Sequence, residues 1–301
     1  MKIFVSTSSF GKIDRSAVNM LKKKGCVVSF NPHGRTMSEA EIGAAIKDAD
    51  GLIAGTEPLT RRVMEGARSL KVISRCGTGM SNIDMSAAGS ANIKVFNTPD
   101  AATSAVAELT VGLMLGILRK TVAMDASIRK GKWDKSMGSL LCGKRVGIIG
   151  FGRIGRSVAA LLKPFGCEIA FADPRVNSAP SGIRRMGAGA LLRWADIVTI
   201  HVSSKDELIG AKELRMMKKG SWLVNVSRGG VVNEDALYGA LKDAHLAGAA
   251  LDVFEEEPYN GRLTELDNII LTPHIGSYAR ESRILMEREA VQNLLKGLKA
   301  R

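Results

Sequence analysis

Apolar residues in this chain fall in short β-branched runs separated by stretches with helical spacing. Over residues 1–97 the runs are Ile3–Ser6, Val27–Phe30, Leu52–Ala54, Val72–Ser74 and Lys94–Phe96. Arg15–Lys24, Ser38–Ala49 and Thr60–Ala67 between them read as helices. Gly25 ends the first of these. Ser38 opens the second, with Glu41 three residues on as a capping box. Strand and helix in alternation predict a small open parallel sheet with helices on its faces. Asn97-Thr98-Pro99-Asp100 is a turn signal. Residues 101–120 then form a long helix with Val106, Leu109, Leu113, Ile117 and Leu118 on its apolar side. Val111, Met114 and Leu115 supplement that side, so the helix is expected to help form a homodimer, with Leu140-Leu141 following in the arm; a fully buried central helix is the alternative. The polar stretch Asp125–Gly143 reads as an arm, or a second helix with a loop. Six further runs follow: Arg145–Ile149, Glu168–Phe171, Ile197–His201, Leu223–Val226, Gly248–Val253 and Asn268–Leu271. They fit a second doubly wound sheet. The amphipathic stretch Arg280–Lys299 lies outside that pattern and is expected to return to the first domain. The expected fold is α/β with two doubly wound parallel-sheet domains, 1–97 with 277–301, and 98–276.

Composition narrows the function classes. The hydrophobic fraction of 45% and charged fraction of 24% are those of a globular protein. No apolar run approaches the ~20 residues that cross a bilayer. Met1-Lys2-Ile3-Phe4-Val5 is a first strand, too short for a signal sequence. Cys26, Cys76, Cys142 and Cys167 contain no C-x-x-C pair, which predicts reduced thiols in a cytoplasmic protein and no zinc framework. The net charge of +13 invites a nucleic-acid reading, but the basic residues are dispersed and aromatics are only 5%, so neither nucleic acid nor membrane is an expected partner. A general attraction for small anions remains.

Lys144–Gly155 gives the chemistry. The strand Arg145–Ile149 runs into Gly150, Gly152 and Gly155, the spacing G-x-G-x-x-G. Ile154, Val158, Leu161, Leu162 and Phe165 follow at helical spacing. Strand, glycine turn and helix in that order suit a dinucleotide pyrophosphate, with the helix N-terminus facing its charge. The next strand leads to Asp173, placed to accept from an adenosine ribose. In such a sheet ligands lie beyond the carboxyl ends of the strands. Arg228 follows Leu223–Val226, which the usual strand order sets beside the first strand. Glu257 follows Gly248–Val253, and His274 follows Asn268–Leu271. An arginine, a carboxylate and a histidine on one edge suit hydride transfer at a carbinol or carbonyl carbon. The histidine exchanges a proton with the substrate oxygen. The glutamate orients the imidazole and favours its charged form. The arginine holds a carboxylate and polarises the reacting oxygen. His201, ending the third strand, is placed on the adenosine side or in a structural role; His33 and His245 read as surface residues.

These stretches resemble the D-isomer-specific 2-hydroxyacid dehydrogenases, and within them the short-type phosphoglycerate dehydrogenases. The resemblance spans nearly the whole chain. It rests on Cys76-Gly77-Thr78-Gly79 with Asn82-Ile83-Asp84, Asn97-Thr98-Pro99, Val106-Ala107-Glu108, the glycine turn, Asn225-Val226-Ser227-Arg228-Gly229, Asp252 through Pro258, and Pro273-His274-Ile275-Gly276. It implies a Rossmann cofactor domain, a flavodoxin-like substrate domain, a cleft between them, and a homodimer formed through the cofactor domain. It implies NAD as cofactor, with Arg153 and Ile154 at the pyrophosphate, Asp173 at the ribose, Asp252 at the nicotinamide carboxamide and Thr103 as a further contact. Arg228, Glu257 and His274 match the family's catalytic residues, and Thr78 and Gly79 the loop that holds the substrate carboxylate. Arg75 precedes that loop, and the resemblance implies a contact with a substrate phosphate; pairing with Asp84 is the local alternative. The implied activity is interconversion of 3-phosphoglycerate and 3-phosphohydroxypyruvate, as in serine biosynthesis. Hydroxypyruvate or glyoxylate reduction is the runner-up, and an NAD-sensing corepressor-like protein is the alternative of another class. Two departures stand out. Ser203 and Ser204 replace the proline usual after His201-Val202. The chain also stops at Arg301, so feedback through a C-terminal regulatory domain is not expected.

Overall fold

The structure, a computed structural model, describes residues 1–299. The chain divides into two compact units, Met1–Ala102 with the segment that begins at Tyr278, and Thr103–Ser277.

The first unit is a five-stranded parallel sheet. Its strands are β1 (Lys2–Val5), β2 (Val27–Phe30), β3 (Gly51–Ala54), β4 (Val72–Arg75) and β5 (Lys94–Phe96), in the spatial order β2-β1-β3-β4-β5. Leu52 and Ile73 pack with Phe4, Ile42, Val63 and Met64 in one apolar cluster. Helix Glu39–Ala45 begins with the expected capping box of Ser38 and Glu41. Helix Arg280–Lys299 packs on β3 and β4. It approaches so closely that a Cβ on Gly297 would stand 2.8 Å from Phe96 and 2.9 Å from Val72. The Asn97–Pro99 turn also belongs here. Thr98 Oγ1 accepts from Gly77 N at 2.7 Å, and Ser282 Oγ donates to the Ala101 carbonyl.

The second unit holds a seven-stranded parallel sheet in the order β12-β11-β10-β9-β6-β7-β8. The strands are β6 (Arg145–Ile149), β7 (Glu168–Ala172), β8 (Ile183–Arg185), β9 (Ile197–Ile200), β10 (Ser221–Asn225), β11 (Leu246–Leu251) and β12 (Ile269–Leu271). Six strands were expected. The added one, β8, has a single buried residue, Ile183, so no apolar run announces it. Its presence corrects the neighbour relation argued for Arg228. The strand beside β6 is β9, and β10 lies one place further out. The turn of direction in this sheet is between β6 and β9, so His201 stands at that point.

Helix Thr103–Arg119 is buried along much of its length. Val111 is 9% exposed and Met114 0%. The surface expected of them for a dimer is therefore spent inside the unit. The segment after it is a helix, Thr121–Arg129, followed by an irregular stretch. Val122, Ile128, Trp133, Met137 and Leu140 are exposed there.

Candidate active site

The glycine turn takes the form its spacing requires. Gly150 adopts φ +90°, and a Cβ there would meet the His201 carbonyl at 2.5 Å. A Cβ on Gly155 would stand 2.2 Å from the Gly150 carbonyl oxygen, which fixes helix Arg153–Leu162 against β6. Gly152 differs: a Cβ there would meet nothing within 4 Å. Its missing side chain leaves open space, as a ligand approaching the backbone demands. The first amides of a helix have no intrahelical acceptor, so the start of helix Arg153–Leu162 suits an anion such as a pyrophosphate. Asp173 closes the turn, accepting from Phe151 N and Arg175 N at 2.8 Å each. Each carboxylate oxygen keeps lone pairs for ribose hydroxyls. Phe151 beneath is 1% exposed and stacks on Phe171 at 4.1 Å. The residues present thus fit NAD. Thr103 is half-buried at the first position of its helix.

His201 reaches Thr199 Oγ1 through Nε2 at 2.9 Å, while Nδ1 is sealed from solvent and has no partner among the described residues. Burial pushes its pKa down to about 3. The ring is therefore neutral when folded and takes up a proton on unfolding below its ordinary ~6.5. Stability should be fully present above pH ~6.5 and fall progressively as pH drops toward 3. Denaturant midpoints measured from pH 7 to 4 should show this slope, and His201→Gln should flatten it. An unchanged slope would remove His201 as its source.

Arg228, Glu257 and His274 follow β10, β11 and β12, three neighbours at one side of the sheet. His274 Nδ1 lies 3.0 and 2.9 Å from the two oxygens of Glu257. Glu257 also accepts from Phe254 N at 3.2 Å. With Nδ1 facing the carboxylate, Nε2 is the nitrogen left to exchange a proton. Arg228 is held by its own turn. Asn225 Oδ1 accepts from Ser227 N and Ser227 Oγ, and Asn225 Nδ2 donates to the Arg228 carbonyl. Arg228 itself donates to the Ser227 carbonyl at 2.6 Å.

The brace beneath His274 is a finding that sequence did not supply. His274 has φ +54°, a left-handed conformation that costs a β-carbon residue about 1–2 kcal/mol. Asp252 lies under the turn, 1% exposed. Its carboxylate accepts from Thr272 Oγ1 at 2.6 Å and from Ile275 N and Gly276 N at 2.8 Å each. The residue matched to the nicotinamide carboxamide therefore also braces the turn that presents His274. Asn225 plays the same part for Arg228. In sequence Asn225 looks like an ordinary strand-end polar residue, and only its burial would have marked it; Asp252 is marked by the resemblance, but not for this brace.

In the first unit the loop after β4 is equally braced. Asn97 Nδ2 donates to the Thr78 carbonyl at 2.8 Å, and Thr98 N to the Gly77 carbonyl at 3.1 Å. Thr78 is exposed and Gly79 half-buried. Arg75 folds back over Gly77 and donates to the Cys76 carbonyl at 2.9 Å. Asp84 caps helix Met85–Ser90 through Ala87 N.

Residues 111–276 match the family described as D-isomer specific 2-hydroxyacid dehydrogenase, NAD binding domain. The chain belongs to the D-2-hydroxyacid dehydrogenase family, whose members are NAD-linked oxidoreductases. Among curated relatives, a D-3-phosphoglycerate dehydrogenase of Methanocaldococcus jannaschii is 41% identical over 87% of this chain and 52% of its own length. A glyoxylate reductase of Thermofilum pendens is 40% identical over 95% of this chain and 89% of its own. The chain thus spans about half of the first relative and most of the second. A solved structure from Thermus thermophilus aligns over 100% of this chain and 98% of its own, with TM-score 0.93 and 34% identity. Among the described residues, no helix is long and apolar enough to cross a membrane.

Proposed function

We propose that the chain interconverts a short 2-keto acid and its D-2-hydroxyacid with NAD. The observation that carries this is the His274–Glu257 pair, held on a strained turn beside Arg228 in a unit that fits a dinucleotide. When bound, NAD supplies or accepts the hydride at the nicotinamide. Gly150, Gly152, Arg153, Ile154, Gly155, Asp173 and Thr103 serve the cofactor, with His201 filling the space behind the glycine turn. His274 Nε2 gives a proton to the keto oxygen in reduction and takes it back in oxidation. Glu257 fixes the ring and compensates its positive charge. Arg228 steadies the charge that grows on the reacting oxygen. Thr78 and Gly79 hold the substrate carboxylate.

Three substrate pairs are in view: 3-phosphoglycerate with 3-phosphohydroxypyruvate, favoured by Arg75, D-glycerate with hydroxypyruvate, and glycolate with glyoxylate. A panel of 2-keto acids with NADH tests the activity. Turnover of at least one is expected, and the absence of any NADH oxidation would remove the enzymatic reading in favour of an NAD-sensing protein. Asp173 accepts from ribose hydroxyls and repels a 2′-phosphate, so NADH should exceed NADPH in the same assay. The protein should also be a homodimer, built on the exposed Val122, Trp133, Met137 and Leu140. Light scattering at micromolar concentration should give twice the mass of 32.2 kDa; a monomer mass would refute it.

A further inference from the structure

We infer that Glu57 sets what the chain accepts beyond the keto carbon, taking the 2-keto acid chemistry proposed above as given: an unphosphorylated end bearing a hydroxyl, and not a phosphate.

In the order β2-β1-β3-β4-β5 the chain winds outward in both directions from the boundary of β1 and β3. Ligands of such sheets gather at that boundary, beyond the carboxyl ends of the strands. Ser6 follows β1 there, and Gly55 and Glu57 follow β3. Glu57 is 1% exposed. Both its oxygens take the Gly55 N–H at 3.1 Å, and Oε1 also accepts from Ser6 Oγ. One amide and one hydroxyl are few donors for a buried carboxylate, and no cation pairs with it among the described residues. A second observation falls at the same place. Thr7 Oγ1 is buried and has no partner among the described residues. A Cβ on Gly55 would stand 3.0 Å from Glu57 Oε2 and 3.8 Å from Thr7 Oγ1. A carboxylate without a cation and a hydroxyl without a partner thus flank one bare α-carbon. Such oxygens welcome a hydrogen-bond donor and oppose an anion.

The spacing suits a three-carbon acid. Asn82 Nδ2 donates to the Gly55 and Glu57 carbonyls at 3.3 and 2.7 Å, and Leu59 N donates to the Asn82 carbonyl at 2.8 Å. The loops after β3 and β4 are therefore tied together, and the paired strands that lead into them lie about 4.8 Å apart. With the carboxylate on Thr78 and Gly79, the far carbon reaches the neighbouring strand end. A phosphate there carries up to two negative charges toward Glu57. Buried as it is, Glu57 acts by its field and through the Ser6 hydroxyl it fixes, so it is a specificity residue and not a catalytic one.

The test is kcat/KM for hydroxypyruvate, glyoxylate and 3-phosphohydroxypyruvate in the wild type and Glu57→Gln, with melting temperatures as a fold control. The wild type should prefer hydroxypyruvate to its phosphate ester. Glu57→Gln should raise the ratio of phosphorylated to unphosphorylated kcat/KM by about tenfold or more, the penalty of a like charge being removed. A wild type that prefers the phosphate ester overturns the inference, and so does an unchanged ratio in the variant. Thermal stabilisation by 3-phosphoglycerate reads the same selectivity without turnover. It should be larger in Glu57→Gln, and equal shifts overturn the inference even if no keto acid is reduced. If Glu57→Gln does not fold, Thr7→Val decides. It should lower kcat/KM for hydroxypyruvate more than for glyoxylate, which lacks the hydroxyl carbon, and equal effects would again count as refutation.

Discussion

Replacing His274 with asparagine should lower turnover by about 10²–10⁴-fold, the usual worth of a positioned acid–base group, while NADH binding persists. Asparagine tolerates the left-handed region that His274 occupies at φ +54°. The variant should therefore fold with a melting temperature equal to or above the wild type's. Loss of chemistry without loss of stability separates a catalytic histidine from a structural one. Glu257→Gln should also lower turnover, because an amide pairs with Nδ1 at the same place without compensating the charge of a proton-donating ring. Near wild-type turnover in His274→Asn would end the assignment.

How much of this was legible depends on what each residue leaves in a linear pattern. The Gly150–Gly155 turn and Asp173 read directly, because a phosphate-binding turn fixes residue type at fixed spacing. The three site residues read as strand-end polar groups, and the His274–Glu257 pair formed at 2.9 Å as expected. Strand β8 did not, because two of the three residues in Ile183-Arg184-Arg185 are charged and its place is decided by pairing with β7. That omission shifted the neighbour of β6 by one strand without moving Arg228, Glu257 and His274 off their common side. Val111 and Met114 were misjudged for a different reason. Helical spacing tells which side is apolar, but not how wide a stripe the unit itself covers. Asp252 carries its brace through tertiary hydrogen bonds, which no local pattern encodes, and Asn225 braces Arg228 through bonds two and three residues away that only its burial marks out. Glu57 escaped notice because a lone acid in a loop reads as solvated until its burial is known.

Gly229→Ala should damage both fold and chemistry, and it offers the sharpest check on how the site is assembled. A Cβ at Gly229 would stand 1.7 Å from the Phe254 carbonyl oxygen, 2.2 Å from its carbon and 2.7 Å from Glu255 N. All three are backbone atoms, so no rotamer change relieves the clash. Either the loop after β10 or the loop after β11 must move. The first carries Arg228 and the second carries Glu257, which in turn holds His274. Overpacking of this kind costs typically 1–3 kcal/mol in stability. A displacement of about 1 Å within a catalytic group costs on the order of a hundredfold in rate. Gly152→Ala is the matched control, since its Cβ would meet no protein atom within 4 Å. That variant should keep the wild-type melting temperature and lose NADH affinity, because the methyl fills space reserved for the pyrophosphate. Gly229→Ala should do the reverse, losing stability and turnover while NADH binding declines little. If Gly229→Ala melts and turns over like the wild type, the two loops are not locked together and Arg228 is positioned by Asn225 alone.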